Sequence, residues 1–193
     1  MRIFLDKIYK TSGWLGAVCI ALICLLVLCQ VGLNLFDRIC TAFTGSAIGL
    51  TIPSYADFTG FLLAAASFLS LAYTLREGGH IRVALVISRL PKRLHRLVEI
   101  WCIGFASTVS LYFSWYIAKL TRESFVYNDL SSGMIAVPIW IPQSFMLFGL
   151  IILSIALLDE LVTVFRGEIP SYTLKGEKLL ADENGESAVF GND

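Results

Sequence analysis

Four apolar runs divide this chain, each near or above the roughly 18 to 20 residues that cross about 30 Å of hydrocarbon at 1.5 Å per residue. They occupy 13–36, 55–75, 98–118 and 142–165. With 56% of its 193 residues apolar, 16% charged and a mean hydropathy of +0.74, the chain has the composition of a protein whose solvent is lipid. The expectation is an all-α integral membrane protein with a four-helix membrane domain over 1–170. The remainder, 171–193, has few apolar residues to build a core, and from Glu168 onward six acids face two lysines; it is expected to be a mobile acidic tail.

The first run follows Arg2, Lys7 and Lys10 and has the outline of a secretory signal, but a signal's apolar stretch is about 7 to 15 residues. This one continues through Leu25, Leu26, Val27 and Leu28 to Leu35, so a retained helix is expected. Pro53 and Ser54 open the second run, and Gly167 and Pro170 stop the fourth. Lys and Arg then divide unequally between the two sides. Twelve lie in the N-terminal segment, the 76–97 connection and the tail, against three on the other side, Arg38, Lys119 and Arg122. By the positive-inside rule both termini are expected in the cytoplasm. Trp14, Trp101, Trp115 and Trp140 are expected near helix ends, where amphipathic rings favour the headgroup layer.

Several chemistries lack their residues. Net charge is zero and the pI about 6.7, so no bulk field argues for nucleic acid. The five cysteines contain no Cys-x-x-Cys pair, which a membrane thiol oxidoreductase needs at one aqueous face, and they read as small hydrophobes. His80 and His95 sit in the basic connection rather than inside helices, where haem ligands would stand. Gly78 and Gly79 have no following Lys-Ser/Thr element to cradle phosphate. No ionisable group is kept at mid-membrane, where it would cost roughly 2.5 to 3.5 kcal/mol and mark an ion path. Glu99, Asp159 and Glu160 fall near one interface and Asp57 near the other, close to Arg76, Arg93, Arg96 and Arg166; interfacial ion pairing is the expectation. Arg96 and Glu99 have the i, i+3 spacing that lets them meet on one helix. No enzymatic activity, cofactor or metal is expected.

The helices do carry packing surface. In the third run Gly104, Ser107, Leu111, Ser114 and Ala118 share a helical face, and in the second Gly60 and Ala64, like Ala66 and Ser70, are four apart. Small residues at such spacing let helices approach closely in lipid, within this chain or against another subunit. The connection from Arg76 through His80, Arg82 and Arg89 to Pro91, Lys92, Arg93 and Arg96 interleaves cations with Ile81, Val83, Leu85, Val86, Ile87 and Leu90. That pattern suits a short interfacial segment with its basic groups on lipid phosphates, and equally a set of topology-determining cations.

Arg76-Glu77-Gly78-Gly79-His80-Ile81-Arg82-Val83, followed by Arg89-Leu90-Pro91, resembles the signature of the small, DctQ-type membrane subunit of tripartite ATP-independent periplasmic (TRAP) transporters. Asn34, Asp37 and Arg38 at the end of the first run and Pro138-Ile139-Trp140-Ile141-Pro142 before the fourth agree, over Met1 to about Pro170. Ala84 departs from it, standing where many members carry an acid. The resemblance implies a multi-pass protein of the bacterial inner membrane. It implies as partners a large DctM-type membrane subunit, which carries the substrate and sodium sites, and a periplasmic solute-binding protein.

Within that resemblance the chain is expected to be a non-catalytic scaffold subunit of a sodium-driven symporter for organic acids or related solutes. The alternative is a free-standing oligomeric small membrane carrier. Arg76, His80, Arg82, Arg89, Arg93, Arg96, Glu99 and Asp159 are the candidates for an interfacial or lipid-headgroup network. Gly60, Ala64, Gly104, Ser107 and Ser114 are the candidate subunit packing face. Loops expected at roughly 37–53 and 120–137 would dock the binding protein, with Asp57, Glu123, Asn128 and Asp129 as candidate contacts.

Overall fold

A computed structural model describes residues 2–46, 48–77 and 92–166. The described chain forms four helices: α1 (Arg2–Thr44), α2 (Tyr55–Arg76), α3 (Lys92–Tyr127) and α4 (Trp140–Phe165). All four are long and apolar enough to cross a membrane, α1 being the most apolar and α3 the least. Of the expected interfacial segment between the second and third helices, residues 78–91 lie outside the described residues, as does the acidic tail, while 92–97, with Arg93, His95 and Arg96, are the first turns of α3 rather than part of a connection.

α1 and α3 run past their apolar stretches. At 43 and 36 residues they measure about 65 and 54 Å at 1.5 Å per residue, well beyond the hydrocarbon thickness. The segments 37–44 and 120–127, expected as loop, are helical. Outside lipid a polar sequence keeps helical form when it forms its own local pairs, and here Lys119 and Glu123 stand one turn apart at 3.9 Å. Thr41 likewise donates to the Asp37 carbonyl at 2.7 Å. Trp14 and Trp115 therefore do not sit near helix ends: α1 begins twelve residues before the one, and α3 continues twelve residues beyond the other.

The lateral order is α1, α2, α4, α3, each packed on the next, with α1 and α4 barely touching. α1 and α3 are thus the outer helices, and α2 and α4 form the middle. The α1–α2 contact is made close by small residues. A side chain at Gly13 would overlap the Tyr73 ring, Gly16 faces the Ala66 carbonyl, and buried Ser12 donates to the Leu69 carbonyl at 2.5 Å. Gly149 does the same between α2 and α4, because a Cβ there would lie 2.5 Å from the Phe68 backbone. Between α3 and α4 the contact is a serine seam. Ser154 meets Ser110 at 2.8 Å and Ser114 at 3.3 Å, and Ser107 is buried on the same face. Hydrogen bonds of this kind between membrane helices contribute on the order of 0.6 kcal/mol each, so close backbone approach carries most of the association.

Candidate functional site

The polar groups gather at the two ends of the helices. At the end where the described termini lie, α2 finishes on Arg76, and a cation in the last turn suits the negative end of the helix dipole. Its guanidinium reaches two other helices. Nη2 stands 2.7 Å from Asp6 Oδ1 on α1; Nη1 stands 3.0 Å from Glu160 Oε1 and 3.3 Å from Asp159 Oδ2 on α4. Tyr9 of α1 lies beneath it, ring centroid 5.6 Å from Cζ, and joins Ala72, Ile152 and Ala156 in a buried cluster. Arginine suits this place because its five N–H donors are spread over a wide, rigid planar fork, so its two terminal nitrogens reach carboxylates on different helices. The Arg76 side chain is 12% exposed and that of Glu160 only 3%, so these charges are largely desolvated, and each is tolerable only while the others stay in place.

At the opposite end the α1–α2 connection is tied back to α1. Asp37 Oδ1 accepts the backbone N–H groups of Ile48 at 2.7 Å and Gly49 at 3.0 Å, and buried Gln30 accepts that of Ile52 at 2.8 Å. Gln30 in turn donates to Asn34 at 3.1 Å. Ser54 takes a left-handed backbone (φ 58°), and its hydroxyl accepts the Ile135 N–H of the α3–α4 connection at 2.8 Å. That connection closes on itself through an isolated antiparallel bridge between Leu130 and Pro138. It lies so close to α2 that a side chain at Gly133 would collide with the Asp57 carboxylate.

Of the residues singled out from sequence, Arg76 and Asp159 come together, and with them two acids outside the candidate set, Glu160 and Asp6. Glu99 is half-buried in the second turn of α3, and the backbones of Arg93 and Arg96 precede it. His80, Arg82 and Arg89 lie outside the described residues. Ser107 and Ser114 face α4, whereas the Cβ positions of Gly60 and Gly104 meet nothing within 4 Å, and Ala64 is half-buried. Asp57 is half-buried beneath the α3–α4 connection; Glu123, Asn128 and Asp129 are exposed, Asn128 in a left-handed conformation that turns the chain out of α3.

Sequence reasoning missed Asp6, Tyr9, Ser12, Ser110 and Ser154 as partners. Tyr9 and Ser12 stand on a face that can be recognised, because Tyr9, Ser12, Gly13 and Gly16 recur at helical spacing on α1, but that spacing does not say which helix covers it. Among the described residues no group of three or more histidines, cysteines, aspartates or glutamates could hold a metal ion. Arginine stands at the centre of the acidic cluster instead.

One family model matches residues 46–167, more than half of the chain: Tripartite ATP-independent periplasmic transporters, DctQ component. The match begins just after α1 and covers α2, α3 and α4, a shorter stretch than the motifs alone implied. No curated protein and no solved structure matches the chain.

Proposed function

The chain belongs to the DctQ component family of the tripartite ATP-independent periplasmic transporters, and from that premise we propose that it is the stationary scaffold of a sodium-driven organic-acid symporter. The coarser statements follow from the family. It is a small transporter subunit and a multi-pass protein of the bacterial inner membrane. The family works with a large DctM-type subunit and a binding protein; for this chain we take both as its partners.

The observation that carries the scaffold reading is the contrast between helix centres and helix ends. Between Lys10 and Asp37, Asp57 and Arg76, Glu99 and Lys119, and Asp129 and Asp159 there is no aspartate, glutamate, lysine, arginine or histidine. A subunit that coupled ion flow to transport would keep a titratable or ion-binding group at that depth. Fixed contacts support immobility instead: Arg76 ties three helices together, and close glycine and serine contacts join the neighbours. On this reading the Arg76 end faces the cytoplasm. The connections at 45–54 and 128–139 face the periplasm, where the binding protein docks.

Uptake in reconstituted vesicles tests it. With the large subunit and the binding protein present, solute uptake is expected to require this chain, and the chain alone is expected to neither bind nor carry solute. Sodium-driven uptake by this chain alone would overturn the proposal.

A further inference from the structure

On the outer helix α1, the face turned away from the domain has an order along its axis. At 100° per residue Lys7, Lys10, Trp14, Val18 and Leu25 fall within about 80° of one another, opposite the Tyr9, Ser12 and Gly16 stripe that packs on the rest of the domain. All five are exposed, Trp14 at 67%. Among the described residues no acid pairs with the two lysines. The nearest in sequence, Asp6, is held by Arg76 at 2.7 Å, and Asp159 and Glu160 gather around the same guanidinium from α4.

Tyr9 lies beneath Arg76, where α2 ends, so Lys7 and Lys10, on either side of it in sequence, stand at the edge of the apolar run that begins at residue 13. Side chains on a helix lean toward its N-terminus, which carries both ammonium groups away from the hydrocarbon. One turn below Lys10 comes the Trp14 indole. From there to Leu25 the face runs about 16 Å, close to one leaflet's half of the roughly 30 Å hydrocarbon. Cations, indole and aliphatic surface thus follow one another in the order of phosphate, ester region and acyl chain in a phospholipid. The two lysines are also neighbours on adjacent turns, where like charges repel until an anion sits between them.

We propose that this face of α1 binds a phospholipid with a net negative headgroup, its phosphate between Lys7 and Lys10 and an acyl chain along Trp14, Val18 and Leu25. Charge complementarity selects the headgroup. A zwitterionic lipid offers the same chains but carries its own ammonium beside the phosphate, so it gains less from two lysines. An acidic protein segment matches the lysines but not the aliphatic stretch below them, and that stretch decides for lipid. The inference goes beyond the scaffold reading and does not depend on it, since the face belongs to this chain alone.

Trp14 itself reports the contact. The full chain with Trp101, Trp115 and Trp140 replaced by Phe is reconstituted in mixed vesicles of phosphatidylglycerol and phosphatidylcholine, and bromine on the acyl chains of one lipid or the other quenches the indole that lipid touches. The apparent affinity for phosphatidylglycerol is expected to exceed that for phosphatidylcholine several-fold. Lys7→Gln with Lys10→Gln is expected to bring the two affinities together without lowering the quenching in fully brominated vesicles. Equal affinities with both lysines present, or a preference that survives the double substitution, would overturn the proposal. So would a Trp14 that neither lipid quenches in the full complex, since protein then covers the face. A second measurement keeps all four tryptophans. Native mass spectrometry of the wild-type chain and of the double lysine variant, each titrated with phosphatidylglycerol, is expected to show several-fold weaker binding of the first lipid in the variant, and unchanged binding would count against the site.

Discussion

Arg76 at the end of α2 and Glu160 near the end of α4 meet at 3.0 Å, and the glutamate side chain is only 3% exposed. A carboxylate so placed depends on its cation. Removing one partner of a buried pair typically costs about 3–5 kcal/mol, because the remaining charge stays desolvated. Arg76→Ala is therefore expected to lower the thermal midpoint of the detergent-solubilised protein and its yield, and Arg76→Lys to fall between, since a compact ammonium keeps the charge but lacks the two separated nitrogens that reach Asp6 and Glu160. Size-exclusion profiles after heating measure both. Substrate preference of whatever complex assembles is expected to stay unchanged; altered preference with normal assembly would place Arg76 on the substrate path.

Gly149 and Gly60 make a matched pair on facing and open surfaces. A Cβ at 149 would lie 2.5 Å from the Phe68 backbone, and backbone cannot swing aside as a side chain can, so Gly149→Ala must separate α2 from α4. Gly60→Ala meets nothing within 4 Å and gains up to about 1 kcal/mol of helix propensity. In the isolated chain the first is expected to destabilise and the second to be neutral or stabilising, by the same heating assay. If Gly60→Ala leaves the isolated chain intact but reduces recovery of the large subunit, α2 contributes to the subunit contact.

The four crossings were legible in the sequence because lipid imposes a length and a composition that survive any detail of packing. Helix ends were less legible. Apolarity reports where the hydrocarbon stops, not where hydrogen bonding stops, so α1 and α3 continue through Asp37 and Lys119 into segments whose residues are polar but helix-compatible. Trp115 was misplaced for that reason, and Trp14 because α1 already begins at Arg2. Arg76 could be picked out as a cation at a helix end, yet its partners on α1 could not. Asp6 and Tyr9 reach it only because α1 packs on α2 through Ser12, Gly13 and Gly16, a choice of neighbour that no local pattern specifies. Likewise the serines of α3 marked a packing face, but that Ser154 on α4 meets them is a tertiary fact.

Orientation can be read directly. In a chain freed of its five cysteines, Ser132→Cys in the exposed α3–α4 connection is expected to react with a membrane-impermeant thiol reagent in intact cells. Lys10→Cys, exposed at the Arg76 end, is expected to react only after lysis. The reverse pattern would invert the topology derived from the cation count and move the proposed docking surface to the cytoplasm.

The last prediction concerns the α3–α4 connection. A side chain at Gly133 would collide with the Asp57 carboxylate and come within 2.7 Å of Ser54 Oγ, the atom that accepts the Ile135 N–H. Gly133→Val is thus expected to lift the 128–139 segment off the start of α2 while leaving the helix contacts at Arg76, Gly149 and Ser154 untouched, since all three lie on other surfaces of the domain. Yield and co-purification with the large subunit should then stay near wild type. If the binding protein docks there, the concentration of loaded binding protein needed for half-maximal uptake in vesicles rises, several-fold or more, with the maximal rate less affected. Ser54→Ala, which only frees the Ile135 N–H to water, should give a weaker effect in the same direction. Unchanged uptake from a correctly assembled Gly133→Val complex would remove this connection, and Asp57 beneath it, from the docking surface.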